Sequence, residues 1–129
     1  MSENSMRTPL ARVRGLGTAK DGVHHWWMQR LTAVALVPLV LWFVVSIAGL
    51  AGMSYVEAVA WISSPWVSVF LVLLIVATFY HAQLGVQVVI EDYVHNEPVK
   101  LAALVALKFA AIILAVAAIF AVLKIAFGG

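Results

Sequence analysis

The chain has 129 residues, of which 64% are hydrophobic and only 11% are charged, and it contains no cysteine. A soluble domain of this length is about half apolar and about a quarter charged, so the composition predicts a protein surrounded largely by lipid. The lack of thiols excludes a disulfide framework and an iron–sulfur cluster held by this chain. The net charge of +2 comes from dispersed basic residues, which argues against nucleic-acid binding.

Residues 1–29 are polar and basic, and they are predicted to form a cytoplasmic and interfacial segment that is mostly extended. The end of this segment carries two tryptophans beside a basic residue, a pattern typical of the lipid headgroup region. The uncharged run that follows predicts a first membrane helix over residues 30–50, because about 20 apolar residues cross the hydrocarbon layer. Pro38 lies inside it and is tolerated in a membrane helix, where it can introduce a kink.

Two further apolar runs complete a bundle of three transmembrane helices. A polar connection, with a short interfacial helix around Val56–Ile62, leads to Pro65, which suits the first turn of a second membrane helix over residues 65–90. Pro98 is expected to open the third, over residues 99–127. Basic residues concentrate before the first helix and around the start of the third. The three apolar runs predict an all-α membrane protein. The positive-inside rule predicts that its N-terminus is cytoplasmic and its C-terminus periplasmic.

His81 is the one ionisable residue predicted to lie at depth in the membrane, and such residues are functional candidates by default. It stands nine residues before Ile90, roughly 14 Å from that end of the helix, near the middle of a layer about 30 Å thick. Ala77 and Gly85, one turn away on either side, are small and leave room for a flat ligand such as a porphyrin. The alternative is a neutral histidine that bonds across a helix interface, and the residues alone leave both interpretations open.

The face that carries His81 continues toward the predicted cytoplasmic end. At about 100° per residue, Val88 and Asp92 return to within about 20° of His81, and Asp92 lies about 16 Å away along the axis. Tyr93 follows, and its phenol can donate a hydrogen bond to the carbonyl of a lipid-soluble substrate. The alternative for Tyr93 is an aromatic anchor at the membrane interface.

Two residues near the start of the first helix are candidates for contact with the acidic groups of a haem. Arg30 is placed to meet a propionate and His24 can add a second donor, whereas the alternative for Arg30 is an arginine that sets the topology. Low-spin haem in a membrane usually takes two axial ligands, and this chain has one histidine at depth. If His81 binds haem, a partner subunit or a second copy of the chain must supply the other ligand.

The motifs combine into a recognisable pattern. The chain carries Gly22-Val23-His24, then Arg30 with Thr32-Ala33, and later His81-x3-Gly85-x6-Asp92-Tyr93-Val94. Together these motifs resemble the small hydrophobic membrane anchor of bacterial succinate dehydrogenase. The resemblance covers roughly residues 22–95 and agrees with the predicted topology, whereas the third helix matches only in length and hydrophobicity.

The resemblance implies a non-catalytic subunit of succinate:quinone oxidoreductase in the bacterial inner membrane. His81 would be one axial ligand of haem b, opposite a histidine of the larger cytochrome b anchor subunit. His24 and Arg30 would lie beside the propionates, although His25 directly follows His24 and either histidine can face the cofactor. The ubiquinone site, next to the iron–sulfur subunit, would be lined by Tyr93 and Asp92. A flavoprotein subunit would oxidise succinate.

A different class of function stays open on the residues alone. The chain could be a haem-free assembly subunit or a small transporter, in which His81 is a packing residue or a proton relay. A transporter would more often carry a carboxylate inside the membrane. The acidic residues after the first span lie instead in connections or at helix boundaries: Glu57, Glu91, Asp92 and Glu97. A reduced-minus-oxidised spectrum of the native complex would separate these possibilities.

Overall fold

The computed structural model describes residues 8–13 and 20–128, and most of these residues are helical. The helices are α1 Pro9–Val13, α2 Lys20–Gly49, α3 Tyr55–Ile62, α4 Pro65–Tyr93 and α5 Glu97–Ala126. Of these, α2, α4 and α5 are long and apolar enough to cross a membrane, which confirms the predicted all-α fold with three transmembrane helices. Part of the predicted N-terminal segment, residues 1–7 and 14–19, lies outside the described residues. The cytoplasmic location of the N-terminus stays a prediction.

Local sequence signals set the starts of the later helices. Pro65 and Pro98 occupy the first turns of α4 and α5, as predicted, because a fixed φ and a missing N–H are tolerated there. Asn96 caps α5, and its Oδ1 atom accepts a hydrogen bond from the Val99 N–H at 3.2 Å. The short helix predicted around Val56–Ile62 is observed as α3.

The start of α2 differs most from the expectation, since α2 is helical from Lys20 rather than from about residue 30. One face of this additional stretch is half-buried or buried, at the i, i+3, i+4 and i+7 spacing of a helix: His25, Met28, Gln29 and Thr32. This face meets α4, as the contacts of Gln29 and Thr32 show. Packing of a mostly polar face therefore extends the helix, and a search for apolar periodicity does not detect such a face.

The central helix of the bundle is α4, because it packs against both α2 and α5, whereas α2 and α5 do not pack against each other in the described part of the chain. Successive long helices run in opposite directions. The start of α2 lies beside the later part of α4, and the hydroxyl of Ser63, just before α4, donates to the carbonyl of Ile125 at 3.2 Å. His81 lies near the middle of α4, on its contact with α2.

An aromatic cluster joins α2, α3 and α4 at the end of the bundle remote from His25. The rings of Trp42 and Trp61 are stacked with centroids 6.0 Å apart, and Phe70 meets Trp42 edge-on at 5.3 Å. Both arrangements are favoured by the quadrupoles of aromatic rings. This cluster fixes the relative positions of the three helices at that end.

The N-terminus of α3 is closed by a reciprocal capping box. The Glu57 carboxylate accepts from the Ser54 N–H at 2.7 Å, and Ser54 Oγ accepts from the Glu57 N–H at 3.4 Å. The Ser54 hydroxyl also donates to Glu57 Oε2 at 2.8 Å. The backbone hydrogen bond, followed by the side-chain one, holds the pKa of Glu57 below its ordinary value. These contacts favour the ionised carboxylate.

This cap predicts that α3 loosens in acid. Because the pKa of Glu57 is lower in the folded state, its contribution to stability is complete above the unfolded value of about 4.3 and is lost as the pH falls through the folded value. We expect the hydrogen-exchange protection factors of the first α3 amides to fall over that pH range. Glu57→Gln keeps an acceptor but removes the charge, so its protection should be independent of pH there. The same acid-induced loss in Glu57→Gln would contradict the prediction.

Candidate functional site

His81 is held against α2 by a hydrogen bond to Thr32. The His81 Nδ1 atom lies 2.9 Å from Thr32 Oγ1, and Thr32 is only 7% exposed. The Thr32 hydroxyl is also 2.7 Å from the Met28 carbonyl oxygen and 3.2 Å from that of Gln29. Threonine in a helix commonly donates its hydroxyl proton to the preceding turn in this way. The contact therefore leaves Thr32 Oγ1 as a possible acceptor for His81.

The hydrogen-bond donors and acceptors around His81 favour one of the two ring nitrogens, Nδ1, as the site of the proton. If Nδ1 carries it, His81 donates to Thr32 and Thr32 donates to the backbone, so both hydrogen bonds form. If Nε2 carries it, the single hydroxyl proton must serve Nδ1, and the side-chain bond to the backbone is lost. The first arrangement satisfies more groups in an apolar setting. It leaves Nε2 with a free lone pair and, within the described residues, no hydrogen-bond partner.

A cleft of about 440 Å³ opens between the start of α2 and the later part of α4. We call it the Arg30 cleft, and its lining residues are Gly22, His25, Trp26, Gln29, Arg30, Gly85 and Val88. Gly85 and Val88 belong to the predicted His81 face, and Gly85 stands one turn from His81, about 6 Å along the axis. The cleft and the histidine therefore share one face of α4.

Two residues that line the Arg30 cleft each carry a buried polar atom without a hydrogen-bond partner among the described residues. These atoms are His25 Nε2 and Gln29 Oε1. Buried polar groups of this kind cost free energy until a partner arrives. Arg30 adds a positive charge, and its guanidinium lies 5.4 Å from the centroid of the Trp26 ring. No acidic side chain in the described part of the chain pairs with Arg30. The Arg30 guanidinium therefore suits an anionic group in the cleft, and His25 Nε2 can donate to the same group when it carries a proton. Gln29 Oε1 is an acceptor and needs a donor instead.

Gly85 contributes a surface without a side chain to the lining of this cleft. A Cβ atom added at Gly85 would meet only the Nε2 atom of Gln29, at 3.8 Å, which is an ordinary van der Waals distance. Close packing of α2 on α4 therefore does not require glycine here. A glycine inside a helix costs about 1 kcal/mol relative to alanine. The position is better explained by a group that approaches from outside these two helices.

The structure brings only some of the predicted site residues to the Arg30 cleft. Arg30 lines the cleft, whereas His24 is exposed and does not, and its neighbour His25 takes the cleft-facing position. Asp92 and Tyr93 end α4 and are exposed, Tyr93 to 77%. Their side chains make no hydrogen bond to other described residues. The structure thus brings Arg30 to the His81 face and leaves the Asp92 and Tyr93 side chains facing outward.

Sequence reasoning gave no role to Gln29, and it named Thr32 only as part of a motif. The available signal was positional, since His25, Gln29 and Thr32 are spaced by four and three residues and fall on one helical face. Among the described residues, no group of three or more His, Asp or Glu side chains could hold a metal ion. Near His81, the described part of the chain therefore offers one imidazole rather than a complete ligand set.

Comparison with known proteins identifies the family. Residues 4–121 match the family described as succinate dehydrogenase/fumarate reductase transmembrane subunit. The chain belongs to this family. The match covers most of the sequence and confirms the resemblance predicted from the His81 and Arg30 motifs. It also agrees with the three apolar helices, and the chain is a multi-pass membrane protein.

Individual relatives cover between 72% and 94% of the chain. The succinate dehydrogenase hydrophobic membrane anchor subunit of Rickettsia bellii (strain RML369-C) is 35% identical over 117 residues, covering 90% of this chain and 93% of the relative. The subunit of the same name from Paracoccus denitrificans is 28% identical over 121 residues, covering 94% and 93%. The succinate dehydrogenase membrane anchor subunit of Reclinomonas americana is 30% identical over 96 residues, covering 72% and 80%.

Proposed function

We propose that this chain is a membrane anchor subunit of succinate dehydrogenase that supplies one axial ligand to haem b and part of a ubiquinone site. The observation that carries the haem assignment is the state of His81. Its Nδ1 atom lies 2.9 Å from Thr32 Oγ1, and its Nε2 atom, near the middle of α4, has no hydrogen-bond partner among the described residues. The tautomer that satisfies the most hydrogen bonds leaves the lone pair on Nε2. A neutral imidazole held in this way is the form of histidine that binds a metal.

The residues around His81 suit a haem. When bound, the haem supplies one-electron transfer, and His81 would hold it through Nε2. Gly85 leaves space on the same face, and Arg30 would pair with a propionate in the cleft. The second propionate donor is better assigned to His25 than to His24, because His25 lines the cleft and its Nε2 atom has no hydrogen-bond partner among the described residues.

The partners are proposed from the resemblance to succinate dehydrogenase membrane anchor subunits. Because a low-spin haem takes two protein ligands, the other one would come from a histidine of a larger cytochrome b anchor subunit. An iron–sulfur subunit would hold the iron–sulfur clusters, and a flavoprotein subunit would oxidise succinate. Electrons would pass from these subunits to ubiquinone near the end of α4 that carries Asp92 and Tyr93.

A spectrum of the purified complex tests this proposal. The complex is isolated from native membranes through a tag on this chain, and its reduced-minus-oxidised spectrum should show b-type haem bands. The flavoprotein and the iron–sulfur subunit should copurify. A complex that contains both subunits but shows no b-type band would refute the haem assignment and favour the alternative of a haem-free anchor.

The quinone assignment predicts an effect at Tyr93. Its phenol is exposed and free of hydrogen bonds to other described residues, so it can donate to a quinone carbonyl next to Asp92. Loss of one such bond is worth about 0.5–1.5 kcal/mol, so Tyr93→Phe should lower kcat/KM for ubiquinone by roughly two- to tenfold. Tyr55→Phe, which alters an exposed phenol on α3, is the control. Succinate oxidation with a soluble dye acceptor should be unchanged, and undiminished ubiquinone reduction would exclude this role.

A further inference from the structure

The Thr32 hydroxyl contacts His81 although hydrogen bonds within its own helix already satisfy it. Its hydroxyl is within reach of two backbone carbonyls of its own helix, so it has acceptors without any help from α4. His81, in contrast, has Thr32 as its one hydrogen-bond partner among the described residues. We propose that Thr32 is a positioning residue, which holds the His81 ring in the tautomer with a free Nε2 atom and strengthens the donation from Nε2 to iron. This inference rests on the haem ligation proposed above.

The orientation of the Thr32 hydroxyl is fixed by its own helix, independently of His81. Threonine is branched at Cβ and has few χ1 rotamers in a helix, and the bond of 2.7 Å to the Met28 carbonyl selects one of them. The oxygen lone pair is thereby presented to α4 at a fixed position, 2.9 Å from His81 Nδ1. An acceptor that cannot rotate away fixes both the tautomer and the orientation of the ring.

The electronic consequence follows from the direction of this hydrogen bond. An Nδ1–H group that donates to an oxygen leaves more electron density on the ring, so the opposite nitrogen becomes a stronger ligand. A stronger donor stabilises the oxidised, more positively charged iron relative to the reduced iron. Loss of the Thr32 hydroxyl should therefore raise the midpoint potential of the haem. Loss of such outer-shell partners typically weakens metal binding about 10–100-fold.

Four substitutions separate this role from simple packing. Thr32→Val removes the hydroxyl and keeps the shape, whereas Thr32→Ser keeps the hydroxyl. Thr78→Val makes the same chemical change at an exposed position of α4, where the threonine has no hydrogen bond to another described side chain. Thr32→Ala also lacks the hydroxyl and takes the place of Thr32→Val if the branched side chain prevents assembly.

Redox titration and haem-transfer kinetics of the whole purified complex provide the measurements. We expect Thr32→Val, or Thr32→Ala, to raise the haem midpoint potential and to lose haem to excess apomyoglobin at least about tenfold faster. Thr78→Val should match the unmutated complex in both respects. Thr32→Ser keeps the hydroxyl but loses the branch at Cβ, so it should lie much closer to the unmutated complex than to Thr32→Val. An unmutated complex without haem would refute the proposed function itself. A haem-containing complex in which neither hydroxyl-free variant changes potential or haem loss would overturn the role of Thr32 alone, as would a Thr32→Ser variant that behaves like Thr32→Val.

Discussion

Replacing His81 by alanine should abolish the b-type haem spectrum of the assembled complex while the membrane helices stay folded. Among the described residues, His81 is the one histidine near the middle of a helix long and apolar enough to cross a membrane, and its Nε2 atom has no hydrogen-bond partner there. Outer-shell changes already weaken metal sites about 10–100-fold, so loss of an axial ligand should exceed that range. The measurement is the haem content per flavin of the purified complex, read from reduced-minus-oxidised spectra.

Misassembly must be separated from loss of a ligand in this experiment. Gln83→Ala is a matched control, because it also removes a polar side chain from the middle of α4. Gln83 is two residues from His81 and therefore lies on a different face of the helix. Both variants should copurify with the flavoprotein and iron–sulfur subunits in normal amounts. Full haem content in His81→Ala would contradict ligation by His81, and haem loss in both variants would show that α4 itself had been disturbed.

Gly85→Leu should remove haem almost as completely as loss of the ligand itself. A Cβ atom at this position meets only Gln29 at an ordinary distance, so this chain tolerates the first carbon. A leucine extends further into the Arg30 cleft, which Gly85 lines and in which a haem propionate is proposed to lie. We expect Gly85→Ala to lower the haem content partially and Gly85→Leu to lower it by about tenfold or more.

The matched control for Gly85→Leu is Ala102→Leu, which adds a leucine at an exposed position of α5. Its haem content should equal that of the unmutated complex, because α5 does not line the Arg30 cleft. Haem content is again normalised to flavin, and assembly is followed by size-exclusion chromatography. A Gly85→Leu complex with its full complement of haem would show that nothing bulky approaches this face.

The sequence predicts the fold well because hydropathy decides it. Each span is an apolar run of sufficient length, and Pro65 and Pro98 mark helix starts through their backbone chemistry alone. The start of α2 at Lys20 was missed for an equally physical reason. The residues that extend this helix, His25 and Gln29 among them, face another helix without being apolar, so hydrophobic periodicity does not reveal them.

The candidate site divides in the same way. His81 could be found from the sequence because an ionisable group in an apolar run is conspicuous, and Gly85 followed from helical spacing. The choice of His25 over His24 as the cleft-facing residue needed the rotation of α2 about its axis, which residue types do not specify. Thr32 needed the distance between two helices. Tyr93 ends α4, close to the boundary predicted from the sequence, and its side chain is exposed.

The central position of α4 has a thermodynamic consequence. Because α2 and α5 each pack on α4 but not on each other, the described residues form no closed core, and only Leu71 and Leu84 among their apolar side chains are buried. A partner helix that binds between or beside them adds contacts that the folded chain alone does not have. Folding and assembly then become linked equilibria. The apparent melting temperature of this subunit should therefore rise with the concentration of its partner subunits, rather than being a constant of the chain.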